Sequence, residues 1–242
     1  MTYSQVLAFG DSTTAGCELI PQSFDWAETK KLSFPNQLAD KLNIPCVNLA
    51  WPGGSNDRSL RLLPEALLKY PNSLVLFTYT TFDRAEMFTT DSSMPQVIEE
   101  SYTGLGINWD SVTTSESHQR VNTLYLKEFY TDTHKYNRYK SYNMLLSVDL
   151  LCQRYASNYL QIFLYDRLID PPDYQPEVFN AVDKDHIYQF EFANVKATWK
   201  TNNQNFGSLR HWAKQKGYQF CPGGHIGQEA HDNFAIELYN KV

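Results

Sequence analysis

Val6-Leu7-Ala8-Phe9-Gly10-Asp11-Ser12 is the stretch on which the reading of the fold turns. It is a short apolar run that ends in Gly-Asp-Ser. A helix begins near Ser33, with Pro35 in its first turn, where the missing amide proton costs nothing. A second apolar run, Cys46 to Ala50, ends in Trp51-Pro52-Gly53-Gly54, and Ser55, Asn56 or Asp57 can cap a helix from Ser59 to Lys69. A third run, Leu74 to Tyr79, ends in Thr80-Thr81. Strand, helix, strand, helix, strand predicts a parallel sheet with right-handed crossovers, and so an α/β fold.

Further along the chain the pattern loosens and then returns. Residues 88–135 are rich in Ser, Thr and Tyr and read as a long insertion rather than as part of the sheet. A helix from about Tyr136 to Tyr155 and a fourth strand, Tyr159 to Tyr165, follow. A second irregular stretch, Asp170 to Asn205, precedes a short helix over 208–216. After Gly223-Gly224-His225 comes a last helix with Ala230, Phe234, Ala235 and Leu238 on one face. No internal repeat or low-complexity linker interrupts the chain, and 242 residues suit one domain, 1–242, with the 88–135 insertion expected to cover the crevice.

Composition narrows the function classes. A net charge of −6 with no Lys/Arg run argues against nucleic acid, whose phosphates demand clustered cations. Cys17, Cys46, Cys152 and Cys221 form no C-x-x-C pair, so neither a zinc site nor a disulfide framework is expected; they read as small hydrophobes in a reducing compartment. The N-terminus lacks a signal-peptide pattern and no apolar run reaches membrane-spanning length, so the expectation is a soluble cytoplasmic protein, virion-associated if phage-encoded, with no membrane partner. The sequence leaves the oligomeric state open.

In open parallel sheets the ligand crevice lies at the carboxyl ends of the strands. The residues standing there are Gly10-Asp11-Ser12, Pro52-Gly53-Gly54 and Thr80-Thr81. They offer a hydroxyl on a turn, a backbone free to approach a ligand, and a short side-chain donor, which are the parts of a nucleophile with an oxyanion hole. A serine hydroxyl needs a base. Of the six histidines, His225 alone stands on a Gly-rich loop directly before a helix, where its ring can reach over the sheet edge. His118, His134, His186 and His211 lie in polar or irregular stretches, and His231 lies inside the last helix.

These residues carry a resemblance. Gly10-Asp11-Ser12 resembles the first block of the SGNH (GDSL-type) hydrolases, and Asn48-Leu49-Ala50-Trp51-Pro52-Gly53 resembles the second, with Gly53 at the oxyanion glycine. His225 to His231 resembles the last block. Pro52 to Arg58 and Thr80 to Glu86 are similar to a branch common in phage and environmental bacterial sequences. The resemblance spans the first 90 residues and the last 20. It implies a three-layer α/β/α sandwich of the flavodoxin-like SGNH kind and a serine hydrolase that cleaves an ester, with an O-acetylated carbohydrate or an acyl ester as substrate class. Ser12 would be nucleophile, His225 general base, the Ser12 and Gly53 amides and the Thr80 hydroxyl the oxyanion donors, and no cofactor or metal would be needed. Trp51, Tyr79 and Arg84 are the expected substrate-binding residues, with core packing the alternative for Trp51 and Tyr79 and a structural ion pair to Glu86 the alternative for Arg84.

Two departures matter. Thr80 stands where family members usually have Asn, and Pro222 and Gly223 stand where they usually have Asp. A Ser-His dyad without a carboxylate is therefore expected, with Asp11 read as an organiser of its own turn. A catalytically degenerate binding protein of the same fold is the first rival. A flavodoxin-like phosphate binder, using Gly10 to Gly16 as a hydroxyl-rich loop, is the second, and the polar Pro21-Gln22-Ser23 insertion argues against it.

Overall fold

The strand β1 (Gln5–Phe9) lies at the centre of the molecule because its residues are apolar on both sides. Val6 and Ala8 enter one core, Leu7 and Phe9 the other, and all four are fully buried. A computed structural model describes residues 3–21, 23, 25–80, 85–88, 102–105, 133–165, 176–190 and 207–242. In it β1 pairs in parallel with β2 (Cys46–Asn48) on one side and β3 (Ser73–Tyr79) on the other. The strand Asn158–Phe163, β6, pairs in parallel with β3, giving the order β2-β1-β3-β6.

Helices cover both faces; two further short ones are α2 (Trp26–Lys31) and α6 (Pro176–Ala181). On one face α3 (Phe34–Leu42) and two C-terminal helices, α7 (Leu209–Gln215) and α8 (Gln228–Tyr239), bring Phe34, Leu38, Trp212 and Phe234 against Val6, Ala8, Leu76 and Ile162. On the other, α4 (Asn56–Lys69) and α5 (Thr133–Tyr155) bring Leu63, Leu67, Leu145 and Val148 against Leu7, Phe9, Val75 and Phe77. This is the three-layer α/β architecture expected of the sequence. Each fully buried large apolar side chain contributes roughly 1.5–3 kcal/mol of transfer free energy, so the two cores supply the main driving force for closing the sandwich.

Local signals set the helix ends. Ser33 precedes α3, whose first turn holds Pro35. Ser55, one of three cap candidates, accepts from Arg58 N at 3.2 Å and starts α4 three residues earlier than its apolar pattern alone indicates. The insertion is not wholly irregular. It contains β5 (Tyr102–Leu105), which pairs antiparallel with β4 (Ala85–Phe88) in a separate two-stranded sheet. The rest of 88–132, and with it the expected cover over the crevice, lies outside the described residues, as does most of 170–205. Among the described residues no helix is long and apolar enough to cross a membrane.

Where β1 ends, the chain passes through a very tight space. Gly10 has φ +154°, and a Cβ there would run into Thr78 Oγ1 and lie 2.5 Å from Thr14 Oγ1. Those hydroxyls are bonded to each other at 2.5 Å, and Thr78 Oγ1 also donates to Phe9 O at 2.7 Å, so neither is free to retreat. Gly10→Ala is therefore expected to destabilise the protein by about 3 kcal/mol, through overpacking and backbone strain together. Urea denaturation measures it; a change below about 0.5 kcal/mol would contradict this packing.

Candidate active site

Three strand ends meet here. Beyond β1 the chain makes a single helical turn, α1 (Ser12–Ala15), whose cap Asp11 accepts from Thr13 N at 2.9 Å. Gly16 ends the turn in the left-handed conformation, φ +75°. The short turn places Ser12, 8% exposed, at the carboxyl edge of the sheet.

The loop after β2 is drawn onto that turn. Trp51 N donates to Gly10 O at 3.1 Å, and Gly54 N donates to Trp51 O at 2.8 Å. A Cβ on Gly54 would lie 2.9 Å from Trp51 O and 3.2 Å from Gly10 O, so the loop can approach the Ser12 turn only because residue 54 has no side chain. Gly53, at the tip, has φ +73°, and a Cβ there would meet nothing within 4 Å. Asn48 anchors the base of the loop, donating to Thr14 O at 3.0 Å and accepting from Ala50 N at 3.1 Å. Neither the Ser12 amide nor the Gly53 amide has a hydrogen-bond partner among the described residues.

From the far end of the chain comes His225. A reverse turn carries it: Gly224 N donates to Cys221 O and Cys221 N to His225 O, each at 2.8 Å, with Gly224 at φ +86°. The ring meets Ser12 directly, Nε2 to Oγ at 2.7 Å.

The expected dyad is not what the structure contains. Glu18 Oε2 lies 2.6 Å from His225 Nδ1, and Glu18 Oε1 accepts from Gly223 N at 2.8 Å. Partial burial pushes the Glu18 carboxyl up, but its bond to His225 and the Gly223 and His225 amides outweigh this and hold it below its usual value. An ionised carboxylate only accepts, so Nδ1 carries the ring proton and Nε2 offers its lone pair to the serine. Glu18 escapes a reading of the sequence because it lies 207 residues from its partner. The only trace there is the glycine at 223, a position where the sequence resemblance leads one to expect an acid.

Thr80 also departs from expectation. Its hydroxyl donates to Asp11 Oδ2 at 2.7 Å, and a hydroxyl has one proton, so that proton is not offered to an oxyanion. Thr80 is bonded by its backbone as well: its amide donates to Asn56 Oδ1 at 2.9 Å, and Asn56 Nδ2 donates to its carbonyl at 3.0 Å. Asp11 thus organises its turn, as read from the sequence.

Tyr79 is fully buried, with its ring between Phe77 and Phe163 and its hydroxyl donating to Gln161 at 2.5 Å. It is core and not a pocket wall. Trp51 is half-buried at the crevice, with Lys30 Nζ and Arg58 Cζ each 5.9 Å from its ring. Those cations also hold the end of β2, Lys30 donating to Asn48 O and Arg58 to Leu49 O, each at 2.8 Å. Arg84 lies outside the described residues. All four cysteines are free, and burial pushes the Cys17 and Cys46 thiols up to about 12, so both are unreactive at neutral pH. His231 is fully buried and accepts from Phe34 N at 3.0 Å; burial pushes it down to about 3, so it stays neutral.

No family model matches the chain, and no curated protein matches it. Solved structures similar to it include the psychrotrophic esterase EstA of a Pseudoalteromonas species, in a form inhibited by monoethylphosphonate (15% identity, TM-score 0.47, covering 98% of this chain and 96% of that one). Another is a member of the lipolytic G-D-S-L family from Veillonella parvula (12% identity, TM-score 0.45, 98% and 99% covered). A third is the acetyl xylan esterase Est2A of Butyrivibrio proteoclasticus (12% identity, TM-score 0.44, 99% of this chain and 64% of that one).

The Thr80 geometry yields a test. Thr80→Val removes one donor from a buried carboxylate and should cost about 1–3 kcal/mol of stability, with kcat on a p-nitrophenyl ester falling less than tenfold. Unchanged stability with a 100-fold or greater fall in kcat would return the hydroxyl to the oxyanion hole.

Proposed function

We propose that the protein is a serine esterase, with Ser12 as nucleophile and His225 as general base. One observation carries this reading: the 2.7 Å contact between Ser12 Oγ and His225 Nε2, which joins a hydroxyl at the carboxyl edge of a parallel sheet to a base able to take its proton.

The chemistry follows from the donors and acceptors present. As Ser12 Oγ bonds to the ester carbonyl carbon, its proton passes to His225 Nε2 and the carbonyl π pair moves onto oxygen. The Ser12 and Gly53 amides are the donors for that oxyanion. Each lacks another partner among the described residues, so neither has to break a bond to serve. Collapse of the intermediate expels the alkoxide, which takes the proton from Nε2. Water then gives a proton to Nε2 as it attacks the acyl-enzyme, and Ser12 leaves with that proton. Thr80 takes no part.

The substrate class is an acyl or acetyl ester, with Trp51 as the aromatic surface beside it. Carbohydrate acetates are the first group to try, because a flat indole with a polar edge suits a ring that is apolar on one face and hydroxylated at its rim. Two absences speak for a degenerate binding protein: an acid near His225 in sequence, and the Asn whose place Thr80 takes. The carboxylate 2.6 Å from Nδ1 answers the first absence. The second still stands, leaving the Ser12 and Gly53 amides as the oxyanion donors.

Hydrolysis of p-nitrophenyl acetate, p-nitrophenyl octanoate and acetylated xylo-oligosaccharides by wild type and Ser12→Ala tests the reading. Turnover by wild type and a loss of at least about 1,000-fold in kcat for Ser12→Ala, with an unchanged melting temperature, is the expected result. Activity retained within tenfold in the variant would exclude Ser12.

A further inference from the structure

Resting on the esterase reading above, we propose that Glu18 is the positioning carboxylate of His225, supplied by the nucleophile's own loop, and that Gly223 lacks a side chain because Glu18 fills its space.

Three observations support the assignment. The first is that both Glu18 oxygens are engaged on the histidine loop, Oε2 with the ring and Oε1 with Gly223 N. The second is backbone strain: Glu18 has φ +68°, a left-handed conformation that is strained for a residue with a Cβ and persists only where surroundings enforce it. Here the two hydrogen bonds to the histidine loop do so, and Cys221 Sγ, 3.7 Å from Glu18 O, brings the same loop onto the Glu18 backbone.

The third concerns residue 223. Gly224 has a left-handed φ that favours glycine, but Gly223 does not, so its backbone imposes no such demand. A Cβ there would instead collide with Glu18, coming within 2.7 Å of Cδ and closer still to Oε1. A side chain at 223 would therefore push the Glu18 carboxylate off its two bonds to the histidine loop, whereas a bare position 223 leaves room for it. Asp11, the other carboxylate on the nucleophile turn, is no substitute, because its oxygens accept from Thr13 N and the Thr80 hydroxyl.

Kinetics of wild type, Glu18→Ala, Glu18→Gln, Gly223→Ala and the double variant Glu18→Ala/Gly223→Asp on p-nitrophenyl acetate test the proposal. Both Glu18 variants should lose about 100-fold to 10,000-fold in kcat while KM stays within about threefold, since the acid orients the base and stabilises the imidazolium without touching substrate. Gly223→Ala should lose activity by displacing the carboxylate. The double variant, with an acid restored on the other loop and the collision removed, should regain at least tenfold over Glu18→Ala. Glu18→Ala and Glu18→Gln with kcat within threefold of wild type would overturn the assignment. So would a loss matched by a large drop in melting temperature with no regain in the double variant, which marks a structural role. A wild type that turns over, with Ser12→Ala inactive, keeps these outcomes separate from failure of the esterase reading itself.

Discussion

The contact between Ser12 Oγ and His225 Nε2 joins residues 213 positions apart, and much of the fold serves to hold those two atoms at 2.7 Å. A hydrogen bond of this length tolerates little movement of either partner, so each must be fixed by something more rigid than its own loop. Ser12 is fixed from below by β1 and the tight passage at Gly10. His225 is fixed through α8, which begins three residues later. His231 in that helix accepts from the Phe34 amide and stacks on the Phe34 ring at 5.7 Å, while Phe234 packs edge-on against the same ring at 5.0 Å. The second histidine of the C-terminal block is therefore a pin between α8 and α3. As a buried neutral base it can accept that amide only while unprotonated.

A second polar cluster holds the strand ends in register. Asp11 follows β1, Thr80 follows β3 and Asn56 opens α4, and three side-chain bonds run between them at 2.7–3.0 Å. Every bond in it is buried, so each is stronger than it would be in water, and breaking one would strand a partner without solvent to replace it. Thr80 is therefore part of the scaffold. Its hydroxyl is too deep and too committed to follow a substrate.

The parallel sheet is legible because four apolar runs stand between turn formers, and Pro35 in one first turn and the cap candidates Ser55 to Asp57 before another mark the starts of two of its crossover helices. Ser12 stands out in the sequence as a hydroxyl at a strand end and His225 as a ring on a Gly-rich loop before the last helix, and the structure brings the two together. For Tyr79 the core alternative holds: the period of two along β3 puts Val75, Phe77 and Tyr79 on one buried face, so its place at the end of the strand does not bring its ring into the crevice. Glu18 was not readable. Nothing local names a partner for the lone glutamate in Cys17-Glu18-Leu19-Ile20, and its contact with His225 exists only once the first 20 residues and the last 20 have been folded together. Thr80 belongs to the same class, because which acceptor takes a hydroxyl proton is decided by tertiary distance alone.

Activation of Ser12 by His225 is tested most directly by a fluorophosphonate, which phosphonylates a serine only when a base removes its proton. Intact-mass and peptide mapping of wild type and His225→Ala after timed exposure would measure it. One adduct per chain is expected, on Ser12, formed at least about 1,000-fold more slowly in His225→Ala. No adduct on the folded wild-type protein, an adduct on another residue, or equal rates in the two proteins would contradict it.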